Sequence, residues 1–459
     1  MDENAPIKLA YELMDRSVVT YKGEPIGTIA ACDPNIAAPN YQEVFVRDFI
    51  PSAIVYLLDD KPAIVKNFLK TVLELRGQQK VMVGHKRAPG LMPASFKCVT
   101  AANGKEQLVA DFGEQAIGRV APVDSAMWWM ILLRAYVVLT EDKAFSDSED
   151  VQEGIRLILD LYLKESFETS PAMLVPDASF MIDRRMGVYG HPLEIQALFY
   201  GMLQAAEELL IDNDLNKSVK EVVNTRLHSL CSYVRLYYWL DVRSLNEIHR
   251  LKTEEFGFDV QNVLNIHPEI IPDWLDGWLS PSTGYFVGNL GPSRMDFRIF
   301  SFGNLLSVIF GLATDHQSHK LMNMFDAHWE ELIGDMPVKI VYPAAEGERW
   351  SGVTGKDPKN VAWSYHNGGN WPCILWAFTA SAILAGRSDL AERAISTATS
   401  RLVTDMWPEY YDGKKGSLIG RRANVFQTWS ATSLIISDRL MKHPETIIQF
   451  QKLLFCRNQ

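Results

Sequence analysis

The chain has 459 residues, 47% hydrophobic and 22% charged, the balance of a soluble globular protein and not of a disordered or fibrous one. Its 45 basic and 56 acidic residues give a net charge of −11, which argues against a nucleic-acid footprint and suits a neutral small molecule. Five scattered cysteines (Cys32, Cys98, Cys231, Cys373 and Cys456) with no CxxC pair predict reduced thiols. The acidic opening MDENAPIKLAYELM reads as neither a secretory signal nor an Arg-rich transit peptide, so the cytoplasm is the expected compartment.

From there the recurring pattern is a pair of amphipathic helices. Pairs are expected near 48–58 with 61–78, 123–140 with 148–165, 191–212 with 217–241, 298–312 with 315–333, 369–386 with 388–406, and 427–441 with 445–454. Lys61-Pro62 and His443-Pro444 put proline in a first turn, where its missing N–H is not needed. Gly386 can end one helix and Ser388 can cap the next. The most apolar stretch, AMWWMILLRAYVVL from Ala126, is too short to span a bilayer and is broken by Arg134, so no membrane association is expected.

Long segments rich in Gly, Pro and aromatics separate the pairs, at 79–122, 171–190, 242–297, 334–368 and 407–426; the first has room for a short β-hairpin or two. Six pairs with elaborate loops predict an all-α fold, an (α/α)6 barrel of six helical hairpins whose long loops build an active site at one end. A single catalytic domain is expected, with its core at about 41–455. An open helical solenoid is the alternative, but no fixed-period repeat supports it.

Familiar catalytic motifs are missing: there is no HExxH, GxSxG or GxGxxG. Gly113 to Arg119 starts like a phosphate loop and fails where Lys and Ser/Thr should stand, and His316 and His319 lack a carboxylate partner for a metal. The chemistry is concentrated in the loops. In Met181-Ile-Asp183-Arg184-Arg185-Met-Gly187, a desolvated Asp183 would serve as a general acid, or it forms a structural ion pair with a neighbouring arginine. In Trp407-Pro-Glu409-Tyr410-Tyr411-Asp412-Gly413, aromatic faces suited to sugar rings surround Glu409, which would activate a water; a surface turn explains the composition equally well. Trp363-Ser-Tyr365-His366-Asn367-Gly368-Gly369 offers donors and acceptors beside a close-approach turn, or a capped helix entry. Arg47-Asp48 is either a clamp on vicinal hydroxyls or a buried pair. Of Trp128 and Trp129, one belongs to the core, because helical spacing cannot bring both to one face. Gln427 either lines the pocket or caps the last helix pair. Two carboxylates among aromatics, amides and arginines form the outline of a glycoside-hydrolysing site.

MIDRRMG, GHPLEIQALFY, DPKN-x-x-WSYHNGG-x-WP, WPEYYDG and QTWS, with FVRDF and PVDS-x-x-WW, resemble the signature segments of the plant and cyanobacterial alkaline/neutral invertases, from about Tyr41 to Trp429. The resemblance implies an (α/α)6 fold, hydrolysis of sucrose to glucose and fructose (the β-fructofuranosidase reaction), inversion of configuration, and no metal or other cofactor. It carries the general acid onto Asp183 and the general base onto Glu409. It puts Asp48, Trp129, Arg185, His366, Asn367 and Gln427 around the sugar. On this reading Asp183 protonates the bridging oxygen while Glu409 activates a water to attack the fructose anomeric carbon. Other readings on the same barrel are a sugar epimerase or phosphorylase, or a sugar-binding protein without catalysis. The large apolar content is compatible with a homo-oligomer.

Overall fold

The computed structural model describes residues 4–33, 39–78, 88–114, 120–163, 171–175, 178–182, 186–251, 253, 262, 264–291 and 294–454. Six helices form its centre: α1 (Val46–Leu58), α2 (Val123–Thr140), α3 (Leu193–Leu209), α4 (Ser301–Ile309), α5 (Leu375–Leu384) and α6 (Thr428–Lys442). Each packs on the next, and α6 returns to pack on α1, so the ring is closed. A ring helix touches two ring neighbours and an outer helix, which requires apolar residues on nearly every side. Accordingly α1 is buried from Phe49 to Leu58 and α3 from Leu193 to Ala206 without a break. The same demand explains α2, which is long and apolar enough to cross a membrane but is a core helix, mostly buried in the protein.

The outer helices Pro62–Glu74, Glu149–Tyr162, Asp214–Tyr237, Asp315–Ala327 and Ser388–Leu402 each follow a ring helix after a short connection. They bury one stripe only, as Leu390, Ala394, Ala398 and Leu402 do at four-residue spacing. Gly386 makes the tight exit from α5 with φ at 71°, and Arg387 N–H then reaches back to Ala382 O at 2.7 Å. Short connections at one end leave the long ones, such as 75–122 and 238–300, at the end where the ring helices begin.

Three expectations need correction. The core does not begin near Tyr41: the helix Ala5–Arg16 buries Ala10, Leu13 and Met14 and packs on α6. Its end is tied there by Ser17 Oγ and Thr428 Oγ1, 2.7 Å apart. The helix Pro444–Leu454, expected as the sixth outer partner, packs on α2 as well as α6, with Phe450 against Trp376 and Arg134 donating to Lys452 O and Leu453 O. Finally, the fold is not all-α. The strands Gly284–Gly291 and Arg294–Phe300 form a bulged hairpin, extended by Val341–Tyr342 on one side and by His191–Pro192 and Trp239–Asp241 on the other. The hairpin expected in the first long loop is Ser95–Thr100 with Glu106–Asp111, and Val44–Phe45 joins its edge. Several strands run directly into a ring helix: Val44–Phe45 into α1, Ala121–Pro122 into α2, His191–Pro192 into α3 and Arg294–Phe300 into α4. They therefore fix how each chain segment enters the site end of the barrel.

Candidate active site

The first turns of the ring helices present Asp48 on α1, Asp124 on α2 and Glu194 on α3, where the positive ends of the helix dipoles favour carboxylates. Arg47, next to Asp48 in sequence, lines a small cavity of about 20 Å³ together with Pro51, Trp128, Met181, Trp376 and Trp429, among others. Arg47 pairs with the buried Asp124. Asp48 is pushed up to about 7 by burial, opposed by Arg47 and reinforced by the charges of Glu409 and Asp124.

Glu409 enters from the loop after the outer helix Ser388–Leu402. Met406 and Trp407 both adopt left-handed backbone, with φ at 60° and 55°. Bulky residues pay roughly 1–3 kcal/mol each for such conformations, so the surroundings must enforce them. Trp407 N–H donates to Leu402 O, Glu409 N–H to Asn424 O, and Phe426 N–H to Met406 O, at 2.7 to 2.9 Å. Tyr410, fully buried, adds its hydroxyl to Arg421 O. The Glu409 side chain is itself buried. Tyr41 OH donates to its Oε1 at 2.7 Å, the Lys359 ammonium lies 3.8 Å from its Oε2, and Oε2 has no hydrogen-bond partner. Burial and the neighbouring Glu409 charge hold the Tyr41 phenol well above its ordinary range, so it remains a donor.

Beside Glu409 stands an aromatic wall. His366 stacks on Tyr365 at 3.9 Å and on Trp371 at 5.1 Å, and Trp371 stacks on Tyr410 at 5.3 Å. Lys359 Nζ sits 3.8 Å from the Tyr365 ring centre. The turn behind the wall needs glycine: a Cβ on Gly369 would lie 2.6 Å from Tyr365 O. Lys339, fully buried, supports that turn by donating to Gly368 O at 3.1 Å and Asn370 Oδ1 at 2.8 Å; burial pulls it down to about 7.

The residues singled out in the sequence separate into groups. Asp183 and Arg185 lie outside the described residues, as does Arg184. Their flanks are fixed, since Met181, Ile182 and Met186 are buried. Asp48, Glu409, His366 and Gln427 all belong to the loops and first turns at the site end. Gln427 is fully buried with neither amide atom bonded, and Trp128 and Trp429 also have unpartnered indole N–H groups. Each such group costs about 1–3 kcal/mol unless water or a ligand satisfies it, and the two tryptophans line the cavity. Unsatisfied donors together with the free Glu409 oxygen suit a ligand rich in hydroxyls.

Trp129 is different: its Nε1 donates to Leu69 O at 2.9 Å, so it locks α2 to the outer helix while Trp128 turns inward. The 100° step between successive helical residues is the reason. Asn367 spends both amide hydrogens on Ala345 O and Asn360 O and accepts from Ala345 N–H, so it holds the wall's backbone. Tyr41, Lys339 and Glu194 were not identified from sequence. Lys359 stood in the DPKN segment, where a cation shortly before an aromatic run was the available signal. Among the described residues no group of three or more His, Cys, Asp or Glu is arranged to hold a metal.

A family model described as alkaline and neutral invertase matches residues 10–444. Neutral/alkaline invertase 1, mitochondrial, from Oryza sativa subsp. japonica is 50% identical over 96% of this chain and 72% of its own length. Cytosolic invertase 1 from the same plant is 49% identical over 95% and 78%, and the probable alkaline/neutral invertase F of Arabidopsis thaliana 48% over 97% and 89%. Among solved structures, a mannosylglycerate hydrolase from Thermus thermophilus in complex with glucose has a TM-score of 0.55 at 12% identity, covering 94% of this chain and 99% of that one. A bacterial glucoamylase complexed with acarbose has 0.53 at 12%, covering 95% and 55%. These two share the helical-barrel fold with this chain.

Proposed function

We propose that Asp183 and Glu409 are the general acid and general base of this chain, which belongs to the alkaline and neutral invertase family and is a glycoside hydrolase that splits sucrose into glucose and fructose. The observation that most supports the base is the environment of Glu409: one carboxylate oxygen held by Tyr41, the other buried without a hydrogen-bond partner, 3.8 Å from the Lys359 ammonium. Asp183 rests on the DRRMG match and on the anchored segments either side of it. Sucrose binds with its bridging oxygen toward Asp183, which gives up its proton as that bond breaks. Glu409 takes a proton from the water that attacks the anomeric carbon from the opposite face. Asp183 ends as a carboxylate and Glu409 as an acid, and exchange with solvent resets both. A single displacement inverts the anomeric centre, and it expects the two carboxyls roughly 6.5–9.5 Å apart.

Asp48, Arg185, His366 and Gln427 are the proposed partners of the sugar hydroxyls, with Trp128 in place of Trp129 at the pocket floor. The chain is read as one catalytic domain working in the cytoplasm, in keeping with the free thiols of Cys32, Cys98, Cys231 and Cys373.

The test is product analysis after incubation with sucrose, raffinose and maltose, with proton NMR of the first product anomers. Glucose and fructose from sucrose alone, with the sugar that takes up solvent oxygen emerging inverted, is the expected result. A sugar phosphate that depends on added phosphate, or retained configuration, overturns the reading.

A further inference from the structure

Glu409 is 2% exposed, yet a base has to be ionised to take a proton. Burial favours the neutral acid of any carboxyl, so something nearby must favour the charge. Tyr41 gives one hydrogen bond. Asp48 on α1, Cys373 and Tyr410 all feel the Glu409 charge, and each is itself anionic or neutral. Positive charge comes from Lys359, whose ammonium lies 3.8 Å from Oε2.

That separation is longer than the about 2.7–2.9 Å of a charge-assisted hydrogen bond, and Oε2 is left without a hydrogen-bond partner. Both ends of the lysine explain the gap. Its root sits in the 3₁₀ turn Pro358–Asn360, where Lys359 N–H donates to Asp357 Oδ1 at 2.9 Å. The next residue, Asn360, is fully buried. Its carbonyl oxygen accepts from Trp350 Nε1 at 2.6 Å and from Asn367 Nδ2 at 3.1 Å, and its Oδ1 accepts from His366 N–H at 3.1 Å. The head of the lysine rests on aromatic faces, 3.8 Å from the Tyr365 ring centre and 5.6 Å from that of Tyr410. Coulomb attraction falls only as the inverse of distance, so about three-quarters of its value at contact survives this gap. The hydrogen bond does not survive it, and that bond would occupy the oxygen that must accept a proton.

We infer that Lys359 is a positioning residue for the base: tethered over Tyr365 and short of contact, its ammonium keeps Glu409 ionised and leaves Oε2 unbonded. The inference rests on the reading of Glu409 as the base. It assigns Lys359 to the carboxylate and not to the sugar, so its loss should appear in kcat and spare KM.

The experiment measures sucrose hydrolysis at pH 7 in Lys359→Met, Lys359→Cys, Glu409→Gln and the Lys359→Met/Glu409→Gln double variant. Lys359→Met is expected to lower kcat by roughly 10–100-fold, the one to two decades by which a nearby opposite charge biases a carboxyl. KM stays within about threefold. In the double variant the two losses do not multiply, since no carboxylate remains to be kept ionised. Lys359→Cys separates charge from packing within one polypeptide. Its side chain is 25% exposed at this position, so the new thiol can be alkylated, with wild type treated identically as the reference. Treatment with 2-bromoethylamine rebuilds an ammonium and is expected to return kcat to within about fivefold of wild type, whereas the neutral adduct of iodoacetamide leaves it low. Wild-type kcat in Lys359→Met, equal recovery with both adducts, recovery with neither, or losses that multiply in full overturns the inference alone. Near-normal turnover in Glu409→Gln overturns the base assignment, and this inference with it.

Discussion

Replacing Tyr41 by Phe removes a single hydroxyl from the site. That hydroxyl donates to Glu409 Oε1 at 2.7 Å, and the Lys359 ammonium lies 3.8 Å from the other oxygen. A hydrogen bond to a charged group is worth about 1.5–3 kcal/mol. If that energy holds the carboxylate in its working orientation, its loss lowers kcat by about 10–150-fold, at 1.36 kcal/mol per decade. Once released, Glu409 is drawn toward Lys359 and Oε2 no longer presents itself to a water. KM for sucrose should stay within a few-fold of wild type, because Tyr41 holds the base and not the sugar. The assay is steady-state hydrolysis of sucrose by wild type, Tyr41→Phe, Glu409→Gln and the double variant. In the double variant the losses should not multiply, since Tyr41 has no carboxylate left to hold. Wild-type activity in Tyr41→Phe, or losses that multiply in full, would refute this account of the base.

The wall and the core make two further predictions. Lys339 titrates near 7 in the folded protein against 10.5 ordinarily; the unfolded chain therefore binds the extra proton between those values, and folding stability contributed by this group rises with pH across that window. The whole span corresponds to roughly 5 kcal/mol at 1.36 kcal/mol per tenfold. Urea denaturation at pH 7 and pH 10 should show Lys339→Met losing that gain relative to wild type; an unchanged difference between the two pH values contradicts it. Trp129→Phe should cost about 1 kcal/mol of stability through its lost bond to Leu69 O and leave kcat/KM unaltered. Trp128→Phe should instead lower kcat/KM for sucrose. Thermal melts and kinetics on the two variants check this, and the reverse pattern would place Trp129 at the sugar.

Much of the barrel is legible in the sequence because its helices must satisfy a simple demand. A ring helix is apolar on every side and its outer partner on one stripe, so α2 followed by Glu149–Tyr162 announces itself through hydrophobic periodicity. What periodicity does not say is which helix docks where. Ala5–Arg16 carries an ordinary amphipathic pattern, and its place against α6 is decided by contacts more than 400 residues apart, such as Ser17 with Thr428. The two-residue strands that steer chain segments into the site, His191–Pro192 among them, are too short to carry any alternation.

The site divides along the same line. Glu409 was visible as a carboxylate among aromatics in WPEYYDG, but its role as base came from family resemblance. Tyr41 could not be found locally, since it meets Glu409 across 368 positions of chain. Asn367 reads identically whether its amide faces a sugar or a backbone, and here it faces Ala345 and Asn360. A buried lysine such as Lys339 looks like any surface lysine until the fold closes around it.

The pairing of Asp183 with Glu409 is tested most directly by sucrose turnover in Asp183→Asn and Glu409→Gln, with sucrose binding measured by calorimetry on the same preparations. Each variant should bind sucrose within a few-fold of wild type while its kcat falls by roughly 10²–10⁴-fold, the usual contribution of a general acid or base. Near-normal turnover in either variant would contradict the assignment.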